Sequence, residues 1–122
     1  IILSEVPSLD TDVGDPETRP FNEDASKVSA AIVIYTISTD FPMAQKRWCG
    51  AAGVDKVKVV SDVIDAEFGL KYGILIKERR YLRRSVFIVG RDGKLTYVKY
   101  MPTNGDEPDY DEVIAEAKKA LG

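Results

Sequence analysis

Ala30-Ala31-Ile32-Val33-Ile34-Tyr35-Thr36-Ile37 is the stretch that decides the architecture. Almost every position is apolar or β-branched, so neither side of a pleated strand here could face water without loss. The run predicts an interior strand covered on both faces, which is how parallel sheets flanked by helices bury their strands. Towards the N-terminus, Ile1-Ile2-Leu3 and Val6 form a shorter apolar run that Pro7 stops, and this predicts a second buried strand. Residues 7–15 carry loop chemistry. Asp15 then offers an N-cap and Pro16 a first helical position. Phe21, Ala25 and Val28 recur at helical spacing, with Pro20 expected to kink the helix or shorten its first turn. Towards the C-terminus, Ser38-Thr39-Asp40-Phe41-Pro42 turns into a helix over 43–52 that Gly53 ends. Val57, Val59 and Val60 predict a short strand, and residues 61–72 a third helix. Ser85-Val86-Phe87-Ile88-Val89 is a further strand. Asp92-Gly93 marks a hairpin turn, and residues 95–100 alternate as its return strand. Val113, Ile114, Ala117 and Leu121 give the last helix its apolar stripe.

The predicted order is β-α-β-α-β-α-β-β-α. Three crossovers imply parallel strands, and the terminal hairpin adds an antiparallel one. This is an α/β fold of thioredoxin-like layout, a mixed central sheet flanked by helices. At 122 residues it predicts a single domain over 1–122, long enough to bury a core.

Composition narrows the chemistry. The chain has no histidine, which removes Ser-His-Asp and Cys-His catalysis and any histidine-ligated metal. Its one cysteine, Cys49, rules out an intrachain disulfide and a cysteine zinc site. A lone cysteine fits a reducing compartment, so a cytoplasmic location is expected. No stretch approaches the ~18 consecutive apolar residues of a membrane span, and no signal peptide is visible. The chain opens on Ile1 rather than Met, which reads as a processed or truncated start. The basic run at 77–84 predicts a solvated face rather than nucleic-acid binding, since the net charge is −3 with both signs interspersed.

In a sheet of this kind chemistry belongs beyond the carboxyl ends of the strands, where helices begin. Free N–H groups and the positive end of the dipole there favour a thiolate or an oxyanion. Taken alone, the residues at such places have plain readings. Thr11 suits a turn or cap, Gly14 suits a flexible loop, Arg84 suits a surface charge, and Cys49 suits a small buried hydrophobe.

Four segments alter that reading together. Pro7-Ser8-Leu9-Asp10-Thr11-Asp12-Val13-Gly14 is similar to the peroxiredoxin loop Pro-x-x-x-Thr-x-x-Cys, with glycine in the cysteine's place. Ser38-Thr39-Asp40-Phe41-Pro42-Met43-Ala44-Gln45-Lys46-Arg47-Trp48-Cys49 resembles Ser-x-Asp-Leu-Pro-Phe-Ala-x-x-Arg-Phe/Trp-Cys of the thiol peroxidase branch. Arg84-Ser85-Val86-Phe87 resembles the segment carrying that family's active-site arginine. Glu107-Pro108-Asp109-Tyr110 resembles the lead into its final helix. The matches run in family order along the chain, while the family's N-terminal β-hairpin is absent from this sequence.

The resemblance implies thioredoxin-dependent reduction of hydrogen peroxide and organic hydroperoxides, without metal or organic cofactor. It implies Gly14 at the peroxidatic position and Cys49 at the resolving one. Thr11 would orient the peroxide, Arg84 would stabilise thiolate and oxyanion, and Pro7 would limit water. It also implies a homodimer. Gly14 supplies no nucleophile, so impaired or absent activity is expected. Asp12 is a second departure, a negative charge that would raise a neighbouring thiol's pKa. The competing expectation is a non-catalytic protein of the same fold that binds a partner or small oxyanion at the old pocket.

Overall fold

The computed structural model describes residues 1–11, 14–25, 27 and 30–121. Asp12, Val13 and Val28 lie outside the described residues. In chain order the elements are β1 (Ile2–Glu5), α1 (Gly14–Ala25), β2 (Ile34–Ser38), α2 (Pro42–Ala52), β3 (Lys58–Ser61) and α3 (Glu67–Lys71). They continue with β4 (Leu75–Ile76), β5 (Tyr81–Leu82), β6 (Ser85–Val89), β7 (Leu95–Tyr100) and α4 (Tyr110–Leu121). The main sheet has the order β3-β2-β1-β6-β7, and β4 pairs with β5 as a separate two-stranded ribbon.

The run at 30–37 yields β2, displaced slightly toward its C-terminal end. It is covered on both faces because its side chains alternate between two cores. Ile34 joins Ile2, Phe21, Val86, Ile88 and Val113 in the larger cluster, against which Trp48, Cys49 and Ala52 of α2 also pack. Tyr35 and Ile37 join Phe87, Ile74 and Leu82 on the opposite face, under α3 and the β4–β5 ribbon. The predicted stripe on α1 delivers Phe21, whose ring meets Tyr110 of α4 edge-on at 5.1 Å. The helix continues through Pro20. Gly53 ends α2 as expected, in the left-handed conformation at φ 70°.

Two expectations fail. The third crossover does not produce a parallel strand: β1 pairs with β2 in parallel but with β6 antiparallel, Glu5 opposite Ser85. The third helix is also much shorter than 61–72. Ser61 belongs to β3, paired with Ser38, and the Asp62 carboxylate accepts the N–H groups of Phe68 and Gly69, so helix begins only at Glu67. The two failures share a cause. A five-residue helix rises only about 7–8 Å, too little to carry the chain back along the sheet. The segment 62–84 stays at the end where β3 finishes, adds the β4–β5 ribbon, and starts β6 from that same end. As a result, the C-terminal ends of β1, β2 and β3 and the beginning of β6 converge.

Candidate active site

The residues at this shared end are polar and largely buried. Pro7 is buried just beyond β1, where the Val6 N–H donates to the Ile37 carbonyl at 3.0 Å. The loop then runs over Ser8 to Thr11 and leads into α1, which opens at Gly14. Arg84 enters from the other side, one residue before β6, and is fully buried. A buried guanidinium needs partners to offset its lost hydration. Asn104 provides one of them and holds the Arg84 backbone as well. Its side-chain oxygen accepts the Arg84 backbone N–H at 2.8 Å, and its carbonyl accepts Arg84 Nε–H at 3.0 Å. The Arg84 carbonyl accepts the Met101 N–H, so the residue is held on both sides of its backbone.

Arg84 Nη2 lies 3.5 Å from Thr11 Oγ1. The Thr11 hydroxyl donates to the Ser8 carbonyl at 3.1 Å, which leaves its lone pairs for the guanidinium. Thr11 and Arg84, 73 residues apart in sequence, therefore meet a few residues before the N-terminus of a twelve-residue helix. Fixed positive charge and the positive end of a helix dipole together favour an anion at such a place.

Cys49 lies elsewhere, in the second half of α2, half-buried against the larger core. Burial pushes its thiol above the ordinary cysteine value, so it stays neutral and weakly nucleophilic. The helices are nevertheless linked. The Arg19 guanidinium of α1 sits 5.7 Å over the Trp48 ring and donates to the Ala52 carbonyl at 3.3 Å. A hollow of about 330 Å³, lined by Leu9, Asp10, Asp40 and Trp48 among others, separates the loop from α2.

Thus Thr11, Arg84 and Pro7 gather at one end of the sheet, Gly14 opens the adjoining helix, and Cys49 packs on the neighbouring one. Sequence reasoning missed Asn104, whose only signal was its place in the turn-like Thr103-Asn104-Gly105. It also missed Ser8, an unassigned position of a quoted motif. The basic run at 77–84 proves discontinuous. Arg84 is internal, Arg83 folds back over the Tyr100 ring at 5.2 Å, and Lys77, Arg79 and Arg80 surround Glu78 in an exposed turn. Among the described residues no group of His, Cys, Asp or Glu could hold a metal ion, and no helix is long and apolar enough to cross a membrane.

Comparison with known proteins adds an independent line. The Redoxin family model matches residues 1–114. A thiol peroxidase of Bacillus subtilis is 49% identical over 120 residues, covering 98% of this chain and 71% of the relative. A thiol peroxidase of Oceanobacillus iheyensis is 46% identical over 118 residues, covering 97% and 71%. Among solved structures, a peroxiredoxin-like protein from Aquifex aeolicus superposes with a TM-score of 0.92 at 38% identity, covering 98% of this chain and 71% of that one. With the match spanning nearly its whole length, the chain belongs to the Redoxin family, in the thiol peroxidase branch of the peroxiredoxins.

Proposed function

We propose that this chain is a thiol peroxidase scaffold for thioredoxin-dependent reduction of hydrogen peroxide and organic hydroperoxides, with Gly14 at the attacking position. The observation that carries the reading is the approach of Arg84 to Thr11 beside the start of α1. In a chain with a thiol at position 14, the thiolate would attack the peroxide O–O bond. Sulfur would take one oxygen as sulfenic acid, and the other would leave as an alkoxide or hydroxide that picks up a proton. Arg84 and the helix N-terminus would stabilise both the thiolate and the leaving oxyanion. Thr11 would orient the peroxide, and buried Pro7 would restrict water. Cys49 would condense with the sulfenic acid, releasing water and forming a disulfide that a thioredoxin dithiol reduces. As written, the chain lacks the first nucleophile. The neutral thiol of Cys49 does not replace it.

The protein acts in the cytoplasm on this reading, in keeping with its single cysteine. It pairs as a homodimer through the surface beside the loop, where Phe41 and Met43 are 61% and 70% exposed. Analytical ultracentrifugation of Met43→Glu checks this, with a shift to monomer expected.

The test of the activity is a thioredoxin-coupled peroxide assay on the chain and on Gly14→Cys. Background turnover by the chain and a clear gain by the variant are expected. Normal turnover by the unaltered chain would contradict the role given to Gly14, and no gain by the variant would refute the alignment. A chain that binds a small oxyanion through Thr11 and Arg84, while Gly14→Cys stays inert, would instead be the non-catalytic protein.

A further inference from the structure

We propose that Asp40 is a positioning residue of this site: its carboxylate ties the loop at 8–11 to the corner between β2 and α2, and so holds Thr11 against Arg84. The inference deepens the reading of Thr11 and Arg84 given above and rests on it.

An aspartate just before a helix ordinarily caps it. Asp40 does not. The N-cap of α2 is Phe41, and no side chain caps the helix. The Asp40 carboxylate is turned toward the first loop instead. Its Oδ1 accepts the Ser8 hydroxyl at 2.6 Å, and its Oδ2 accepts the Leu9 N–H at 2.9 Å and the Ser38 hydroxyl at 2.8 Å. Ser8 and Leu9 are 32 and 31 residues away in sequence, so these are tertiary ties rather than local turn bonds.

Asp40 is itself fixed from three elements. Its carbonyl accepts the Ser61 hydroxyl at the end of β3. Its N–H reaches Ser38 Oγ at 3.3 Å, at the end of β2. Ser38 Oγ in turn accepts from the Gln45 side chain of α2 at 3.0 Å, and the same Gln45 nitrogen donates to the Val60 carbonyl at 2.9 Å. Ser38 and Gln45 are buried, so this side of the tie is anchored in the body of the protein.

The free side of the tie carries the geometry to Thr11. Ser8 Oγ, held by Asp40, also accepts the Asp10 N–H at 3.1 Å. The Ser8 carbonyl takes the Thr11 hydroxyl proton, which orients the Thr11 oxygen toward Arg84 Nη2. Asp40 to Ser8, Ser8 to Thr11 and Thr11 to Arg84 form one continuous path. None of these four residues belongs to either apolar core cluster, so cutting the path leaves the cores intact. The effect of cutting it falls on the pocket.

The test is native-state amide exchange and the Thr11 side-chain rotamer, read by NMR on the chain with Asp40→Ala, Asp40→Asn and Ser8→Ala. Asp40→Ala should speed Leu9 exchange by about tenfold or more, with the Phe87 amide of β6 unchanged, and should average the Thr11 rotamer. Asparagine keeps an acceptor for the Leu9 N–H and a donor for Ser8, so Asp40→Asn should restore most of the protection. Ser8→Ala removes a single arm, keeps the reading open if Asp40→Ala misfolds, and should also release Thr11. Leu9 protection and one fixed Thr11 rotamer retained in Asp40→Ala, or one fixed Thr11 rotamer retained in Ser8→Ala if Asp40→Ala misfolds, would overturn the proposal. In the Gly14→Cys background, Asp40→Ala should slow peroxide oxidation of the introduced thiol about tenfold. Inertness of Gly14→Cys alone would refute the peroxidase reading, while the exchange and rotamer results would still decide whether the tie exists.

Discussion

The Arg84 corner and the Cys49 helix are two halves of one candidate site, built in opposite ways. The corner is polar. Arg84 is buried, clamped twice by Asn104, and set within reach of Thr11. The helix is apolar where it matters. Cys49 packs with Trp48 and Ala52 against the larger core, and burial pushes its thiol up. The difference teaches that the polar half is tied together by hydrogen bonds among its own residues, from Asn104 and Thr11 to Arg84. The cysteine half is quiescent. On the proposed reading, its thiol would leave this packed setting to reach a partner on α1. A preorganised corner lowers the energy of developing negative charge. A packed, neutral thiol avoids side reactions until then.

The sharpest way to break the contrast is Arg84→Ala. It opens a cavity and strips charged hydrogen bonds from Asn104 and Thr11, so a loss of about 3 kcal/mol is expected in chemical denaturation. A loss within experimental error would mean that the corner is not held as described. Gly69→Ala tests the segment that delivers Arg84. A methyl there would stand 2.6 Å from Leu82 Cδ2 and 3.2 Å from Leu75 Cβ, so about 2 kcal/mol should be lost to overpacking. Unchanged stability would show that the β4–β5 ribbon yields freely.

Asn22→Ala probes the other half. Asn22 Oδ1 accepts the N–H groups of Asp55, Lys56 and Val57, tying α1 to the chain after α2. Its removal should cost about 1–2 kcal/mol, measured by thermal melting. The smallest effect concerns Cys49 itself. Burial holds its folded pKa above the ordinary thiol value, so alkylation should rise with pH at a midpoint higher than in the denatured chain. The sign for stability follows. The neutral thiol's contribution is present below the unfolded pKa and is lost as pH rises through the folded one. An alkylation midpoint below that of the denatured chain would place Cys49 in an activating environment and erase the contrast.

Much of this was legible in the sequence, for a local reason. Ile34, Tyr35 and Ile37 announced a doubly covered strand because alternation between two cores leaves no polar side. Gly53 announced a helix end because its left-handed conformation suits glycine. The direction of β6 was not legible. It depends on how far residues 62–84 travel, which hinges on the Asp62 carboxylate capping Phe68 and Gly69 rather than on any periodicity. The interior position of Arg84 was hidden for a similar reason. A basic residue in a basic run looks solvated until Asn104, 20 residues on, is folded against it. Thr11, Arg84, Gly14 and Cys49 were singled out by motif resemblance, whereas composition alone gave each of them a plain reading.

The central claim, which rests on the proposed function, is that the Thr11–Arg84 corner would support peroxide chemistry once a thiol stands at position 14. The most direct measurement is peroxide titration of Gly14→Cys beside the unaltered chain, with the products mapped by mass spectrometry. The account predicts that peroxide yields an intrachain disulfide between the introduced thiol and Cys49, while Cys49 of the unaltered chain stays reduced. An introduced thiol that remains reduced, or equal oxidation of Cys49 in both chains, would contradict it.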